Sequence, residues 1–178
     1  MSPLAYLATA LGIFFGFHLV HYTAHRLLTH RDVIRAFYES HHLGHHVVYT
    51  HTKYVSPHFR GIQSTLLADW FFGSLVLGAA YLALPEQLFL MVVIEGIALA
   101  AAIAVIHRAF HIDGHFLKRL PILAEYDRLH VEHHRNVRTN YGILFHGFDR
   151  LFGSFAPGDL KVGAPGRERA PSQPEVAV

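Results

Sequence analysis

The sequence predicts an all-α fold, a small helical bundle integral to a membrane, and three observations carry that prediction. Hydrophobic residues fill 52% of the 178 positions and charged residues only 16%, a balance that leans towards lipid rather than water. Three stretches, about residues 4–24, 66–84 and 88–106, are apolar over roughly the length a crossing helix needs. All fifteen Lys and Arg lie outside them: residues 1–25 carry none, and none occurs between Arg60 and Arg108. A nucleic-acid-binding protein would show a basic patch without long apolar spans, so no nucleic acid is expected as a partner. The length suits one domain. The absence of cysteine excludes disulfides, iron–sulfur clusters and thiolate zinc sites.

The first span, 4–24, lacks the basic leader and small-residue cleavage site of a signal peptide. His18, His21 and His25 form one stripe along its last two turns, so they point into the bundle rather than at lipid. Arg31–Tyr38 reads as a short amphipathic helix, and Thr52–Arg60 as a loop stopped by Ser56-Pro57. Residues 66–84 and 88–106 make a hairpin around Pro85-Glu86; both are near the short end for a full crossing, and a re-entrant hairpin is the rival reading. His107, His111 and His115 continue the third helix as a stripe until Leu120-Pro121 breaks it. Leu123–His134 is a further helix, and Gly142–Gly153 a short amphipathic segment that closes over the site or lies in the membrane interface. Residues 1–155 form the membrane domain. Residues 156–178, dominated by Pro, Gly and charge, read as a disordered tail. The positive-inside rule puts block 26–60 and the C-terminus in the cytoplasm, with the N-terminus and the Pro85 turn outside.

Seventeen histidines far exceed what packing requires. Ten fall in four sets: His25 and His30; His42, His45 and His46; His107 and His111; His130, His133 and His134. Positions i, i+3 and i+4 share one helix face, and neutral imidazole is a good ligand for iron, zinc or copper. Ten imidazoles exceed the need of one ion, so two ions in one cytoplasmic, histidine-lined di-metal cup is the simplest reading. All-nitrogen ligation excludes calcium and magnesium, and a structural zinc would need only four ligands. His25 and His30 stand about 140° apart on an ideal helix; either the helix ends between them or they contact different ions. Asp113, Asp127 and Glu132 are candidates to orient imidazoles through the second ring nitrogen, and His18, His21 and His115 are candidate neighbours of the site. His41, His51, His58 and His146 read as hydrogen-bonding or surface residues.

Four ordered boxes, His25-Arg26-Leu27-Leu28-Thr29-His30, His42-x-x-His45-His46, His107-x-x-x-His111 and His130-x-x-His133-His134, resemble the fatty acid hydroxylase and sterol desaturase superfamily of membrane di-metal oxygenases. The match covers roughly residues 18–155. Asn140-Tyr141-Gly142-Ile143 and the Phe/Asp/Arg/Phe/Gly segment after it are similar to the fatty acid hydroxylase branch in particular. The resemblance implies an O2-dependent monooxygenase with two non-haem iron ions, zinc being able to take the metal position in a purified sample. It also implies a lipid or fatty-acyl substrate and electrons from a separate electron-transfer protein. Sterol or carotenoid hydroxylation, lipid desaturation and a non-catalytic metal-binding membrane protein are the alternatives. A transporter would instead show polar residues or broken helices at the midplane of the spans, where only Glu95 fits.

Overall fold

The computed structural model describes residues 2–60 and 65–158. Most of the expected tail, 159–178, lies outside the described residues. The chain is helical, and among the described residues there is no β-strand beyond a single bridge between Ser56 and Ile112. The order is α1 (Pro3–Ala24), α2 (Arg35–His41), α3 (Thr65–Ala83), α4 (Glu86–Phe110), α5 (Pro121–Arg135) and α6 (Gly147–Leu151). Two π-helical turns, His25–Thr29 and His42–His46, extend α1 and α2, and a 3₁₀ turn, Phe116–Arg119, precedes α5.

Local chemistry sets the boundaries. Ser2 caps α1 by accepting a hydrogen bond from the Ala5 N–H, and Pro3 occupies the first turn, where its missing N–H costs nothing. Pro121 opens α5 in the same way. α4 ends at Phe110, five residues before His115. Gly114, at φ +62°, then turns the chain and takes His115 off the expected stripe. The predicted helix at 31–38 begins later, at Arg35, and runs on to His41.

α1 packs against α4 and α3, α3 and α4 form the hairpin around Leu84-Pro85, and α6 docks on α1. The helices Pro3–Thr29 and Glu86–Phe110 are long and apolar enough to cross a membrane, and little of either is buried within the molecule. Their outward side chains, among them Leu7, Leu11, Phe15, Ile94, Ile97 and Val105, are exposed, as apolar helices are when lipid rather than protein surrounds them. The middle one of the three spans expected is α3, 19 residues, about 28 Å of helix against a hydrocarbon core of roughly 30 Å.

The buried apolar core gathers around the histidine-rich end of the bundle. One cluster joins Tyr54, Ile103, Phe110, Val131 and Ile143, and another joins Ala24, Leu28, Phe37 and Ala68. α1 and α4 bring their C-terminal ends to this core and pack directly on each other, with α3 packed against both.

Candidate metal centre

Ten imidazoles converge at that end in two adjoining groups of five. The first holds His25, His30, His41, His46 and His133; the second holds His45, His107, His111, His130 and His134. Within each group all the ligand-capable nitrogens lie within 4.8 Å of one another, and every residue is buried except His30, which is half-buried. Rings of the two groups touch, with the His46 and His134 centroids 4.4 Å apart. Neither group includes a carboxylate.

Two π-helical turns make this possible. On an α-helix residues five apart diverge, but a π turn closes i to i+5 and brings them to one side. His25 and His30 span the first such turn, and their Nε2 atoms are 3.1 Å apart. His41 and His46 span the second, at 3.0 Å. The five-residue interval that looked incompatible with one site is therefore the spacing of one site. It also changes the second set. His42, expected among the ten, lies outside both groups, partly exposed and stacked on Tyr38 at 5.1 Å. His41, read from sequence as a spare residue, stands in its place because the π register pairs 46 with 41. The other nine expected histidines are all in the two groups.

The hydrogen bonds decide which nitrogen faces inward. The Nδ1–H groups of His25, His111, His133 and His134 donate to the backbone carbonyls of Tyr141 (2.7 Å), Tyr54 (2.9 Å), Thr139 (2.7 Å) and Tyr49 (2.5 Å). A neutral ring with its proton on Nδ1 presents a bare lone pair at Nε2. In the first group the Nε2 atoms of His25, His30 and His41 form a triangle with sides of 3.0–3.1 Å, and His30 is 3.1 Å from His133. In the second, neighbouring Nε2 atoms are 3.1–3.2 Å apart. Converging lone pairs repel unless a cation sits among them, so the donor set fits a bound metal.

Five imidazoles in each group exceed the four ligands of a structural zinc.

The electrostatics agree. Burial, reinforced by neighbouring imidazoles, holds His30, His41, His45, His46, His130 and His134 well below the ordinary histidine pKa. Burial lowers His133 to about 4 and His111 to about 3. These rings are neutral at pH 7, the state in which imidazole binds metal.

The sequence model of the family described as fatty acid hydroxylase matches residues 10–154, a range that contains both groups. The chain belongs to the fatty acid hydroxylase family. No curated protein and no solved structure matches it significantly. Membership of this family supports a lipid oxygenase of the hydroxylase or desaturase type and association with membranes.

The segment after the last box, where the family resemblance extends beyond histidines, explains itself structurally. Asp149 is fully buried and accepts hydrogen bonds from the N–H groups of Tyr141 (2.8 Å) and Gly142 (2.9 Å) and from the Ser154 hydroxyl (2.8 Å). Ser154 accepts in turn from Tyr22, which accepts from Arg26. Asn140, with φ at 50°, bonds Leu129 and Ala156. These contacts fix the Tyr141 carbonyl that orients His25. Gly142 must be glycine, since a Cβ there would lie 2.3 Å from the Phe145 carbonyl oxygen. Phe145 packs on Phe14, Phe15 and His18, so the segment closes against α1.

Of the expected orienting carboxylates, Asp127 alone sits behind the site, and indirectly. It accepts a 2.9 Å hydrogen bond from the Tyr54 hydroxyl, and the Tyr54 carbonyl orients His111. Burial raises the Asp127 pKa to about 6 against the opposing pull of Lys118. Asp113 is exposed, and Glu132 pairs with Arg135. His115 caps the 3₁₀ turn instead of approaching the groups. His18 is buried among Phe14, Phe17 and Phe145. His21 is held 3.1–3.2 Å from both Asp69 oxygens and leans on the His25 ring. The sequence reading placed His41 among the spare residues, gave Asp69 no role at the site, and noted Asn140 and Asp149 only within the family resemblance. The repeated five-residue interval signals the first; nothing in the local pattern signals Asp69, whose partner is 48 residues away.

Proposed function

We propose that this chain is a multi-pass membrane monooxygenase that hydroxylates an unactivated C–H bond of a lipid or fatty-acyl chain with O2. His25, His30, His41, His46 and His133 hold one iron ion, and His45, His107, His111, His130 and His134 hold the second. The observation that carries this reading is the ten inward Nε2 atoms in two sets of five. Two iron ions held there would supply the electron storage and O2 activation that oxidise such a carbon. The histidines hold and tune; none is required as a general base. The backbone carbonyls behind them keep each ring in its ligating tautomer.

An apolar groove of about 210 Å³ lies along α1 and α3, lined by Leu19, Val20, Thr23, Ala24, Leu27, Leu28 and Phe72. Its lining is apolar, as an acyl chain requires, and none of the ten grouped histidines is part of it. Desaturation of the same chain begins with the same hydrogen abstraction, so the product separates the two. Membranes with and without the protein, supplied with a matched electron donor, are compared for lipid mass. A gain of one oxygen is expected. A loss of two hydrogens selects desaturation, and no change with iron in both groups overturns the oxygenase reading.

The same reading places the N-terminus and the Pro85 turn outside and the histidine groups on the cytoplasmic face. With no native cysteine to interfere, Glu86→Cys is expected to react with an impermeant thiol reagent in intact cells. Labelling only after the membrane is opened reverses the orientation or makes the α3–α4 hairpin re-entrant.

A further inference from the structure

Nine of the ten grouped histidines are buried, and His30 alone is partly exposed. His30 lies beyond the π turn, farther along the axis of α1 from the apolar span than His25. It therefore lies on the side of the groups away from that span. Three exposed arginines stand on the segments that meet there. Arg31 follows His30 directly and lies within electrostatic reach of the Tyr141 phenol. Arg135 ends α5, two residues after His133, whose Nε2 is 3.1 Å from that of His30. Arg138 belongs to the turn whose Thr139 carbonyl orients His133. Tyr141 joins the segments, its ring 5.5 Å from His30 and 5.7 Å from His133, and Arg26 lies over it. Among the described residues Arg31 and Arg138 have no ion-pair partner, and Arg135 has only a loose contact with Glu132 at 3.6 Å. Exposed cations with little or no ion pairing, on the segments beside the one partly exposed residue of the two groups, form a surface for an anionic partner.

We propose that Arg31, Arg135 and Arg138 form the docking surface for a small, acidic, water-soluble one-electron carrier protein, which delivers electrons at the His30 edge. The proposal rests on the oxygenase reading. Each turnover takes one O2, two electrons and two protons; one oxygen enters the C–H bond and the other leaves as water. Two reduced carriers are each oxidised by one electron. The site's position on the side away from lipid favours a soluble protein over lipid headgroups.

The test uses the full-length protein in neutral phosphatidylcholine vesicles, with an acidic plant-type [2Fe–2S] ferredoxin kept reduced by its reductase as the probe carrier. The triple variant Arg31→Glu, Arg135→Glu, Arg138→Glu is expected to raise KM for the carrier about tenfold or more with kcat little changed. Wild-type turnover at low carrier should fall as salt rises, and the variant's should fall less. With an uncharged chemical reductant both proteins should form product at the same rate. The corresponding Arg→Gln triple is expected to lie between them. An unchanged KM in the charge-reversed protein overturns the proposal while leaving the oxygenase reading intact. Equal losses with carrier and chemical reductant also overturn it, by assigning the arginines to folding. An effect seen only when anionic lipid is added makes the patch a headgroup site instead. No product from the wild type with either reductant overturns the oxygenase reading and the docking surface together.

Discussion

His41→Ala is expected to remove one of two metal ions and lower product at least ~100-fold, beyond the 10–100-fold typical of losing a group that merely orients a ligand. His42→Ala, one residue away, is expected to retain both ions and product within about twofold. His41 is buried with its Nε2 3.0–3.1 Å from those of His25, His30 and His46. His42 loses only its stack on Tyr38, a surface change of the kind that stays within about 0.5 kcal/mol. Elemental analysis of the purified proteins and lipid mass spectrometry read the two outcomes. The reverse pattern would return the second box to His42-x-x-His45-His46 and remove the π-turn account. His111→Ala supplies the control for the other group. It should cost the second ion and leave the first, while the protein still inserts, because no apolar span depends on that ring.

The contrast between His41 and His42 marks how far the sequence was legible. The helical class, the two full-length apolar helices and nine grouped histidines follow from patterns contained in single segments: hydropathy over about twenty residues, and ligands at i, i+3 and i+4. His107 and His130/His133/His134 sit on regular α-helix and His111 caps the end of α4, a geometry that brings all five into the two groups. The misreading fell where the backbone leaves α-helical register. A π turn has no distinct residue signature, so only the repeated interval, His25 to His30 and His41 to His46, betrays it. The orienting contacts were illegible for another reason. His25 depends on Tyr141 and His134 on Tyr49, pairs 116 and 85 residues apart, and the acceptors are main-chain carbonyls that any residue type could supply. Asp113, Glu132 and His115 were chosen for closeness in sequence to the boxes. The turn at Gly114 carries Asp113 and His115 away, and Glu132 faces Arg135 on the outer side of α5.

Asp149→Ala is expected to be among the most damaging substitutions away from the imidazoles. It strands the N–H groups of Tyr141 and Gly142 and the Ser154 hydroxyl in a fully buried position. Each unpaired polar group costs about 1–3 kcal/mol, so a loss on the order of 3–5 kcal/mol is expected, a large share of the stability of a single domain. The damage should be unequal between the two metal sites. The carbonyl that Asp149 steadies orients His25, in the first group. The carbonyls behind His111 and His134 in the second come from Tyr54 and Tyr49, in the segment before α3. Metal titration should therefore show the first group weakened by about 10–100-fold and the second little changed. Asp149→Asn preserves the shape but turns an amide N–H towards an N–H that must donate, so an intermediate loss is expected. The measurements are the thermal midpoint and the metal-to-protein ratio at limiting iron. If Asp149→Ala keeps both at wild-type values, the segment from Asn140 to Ser154 is packing alone and does not hold the centre in place.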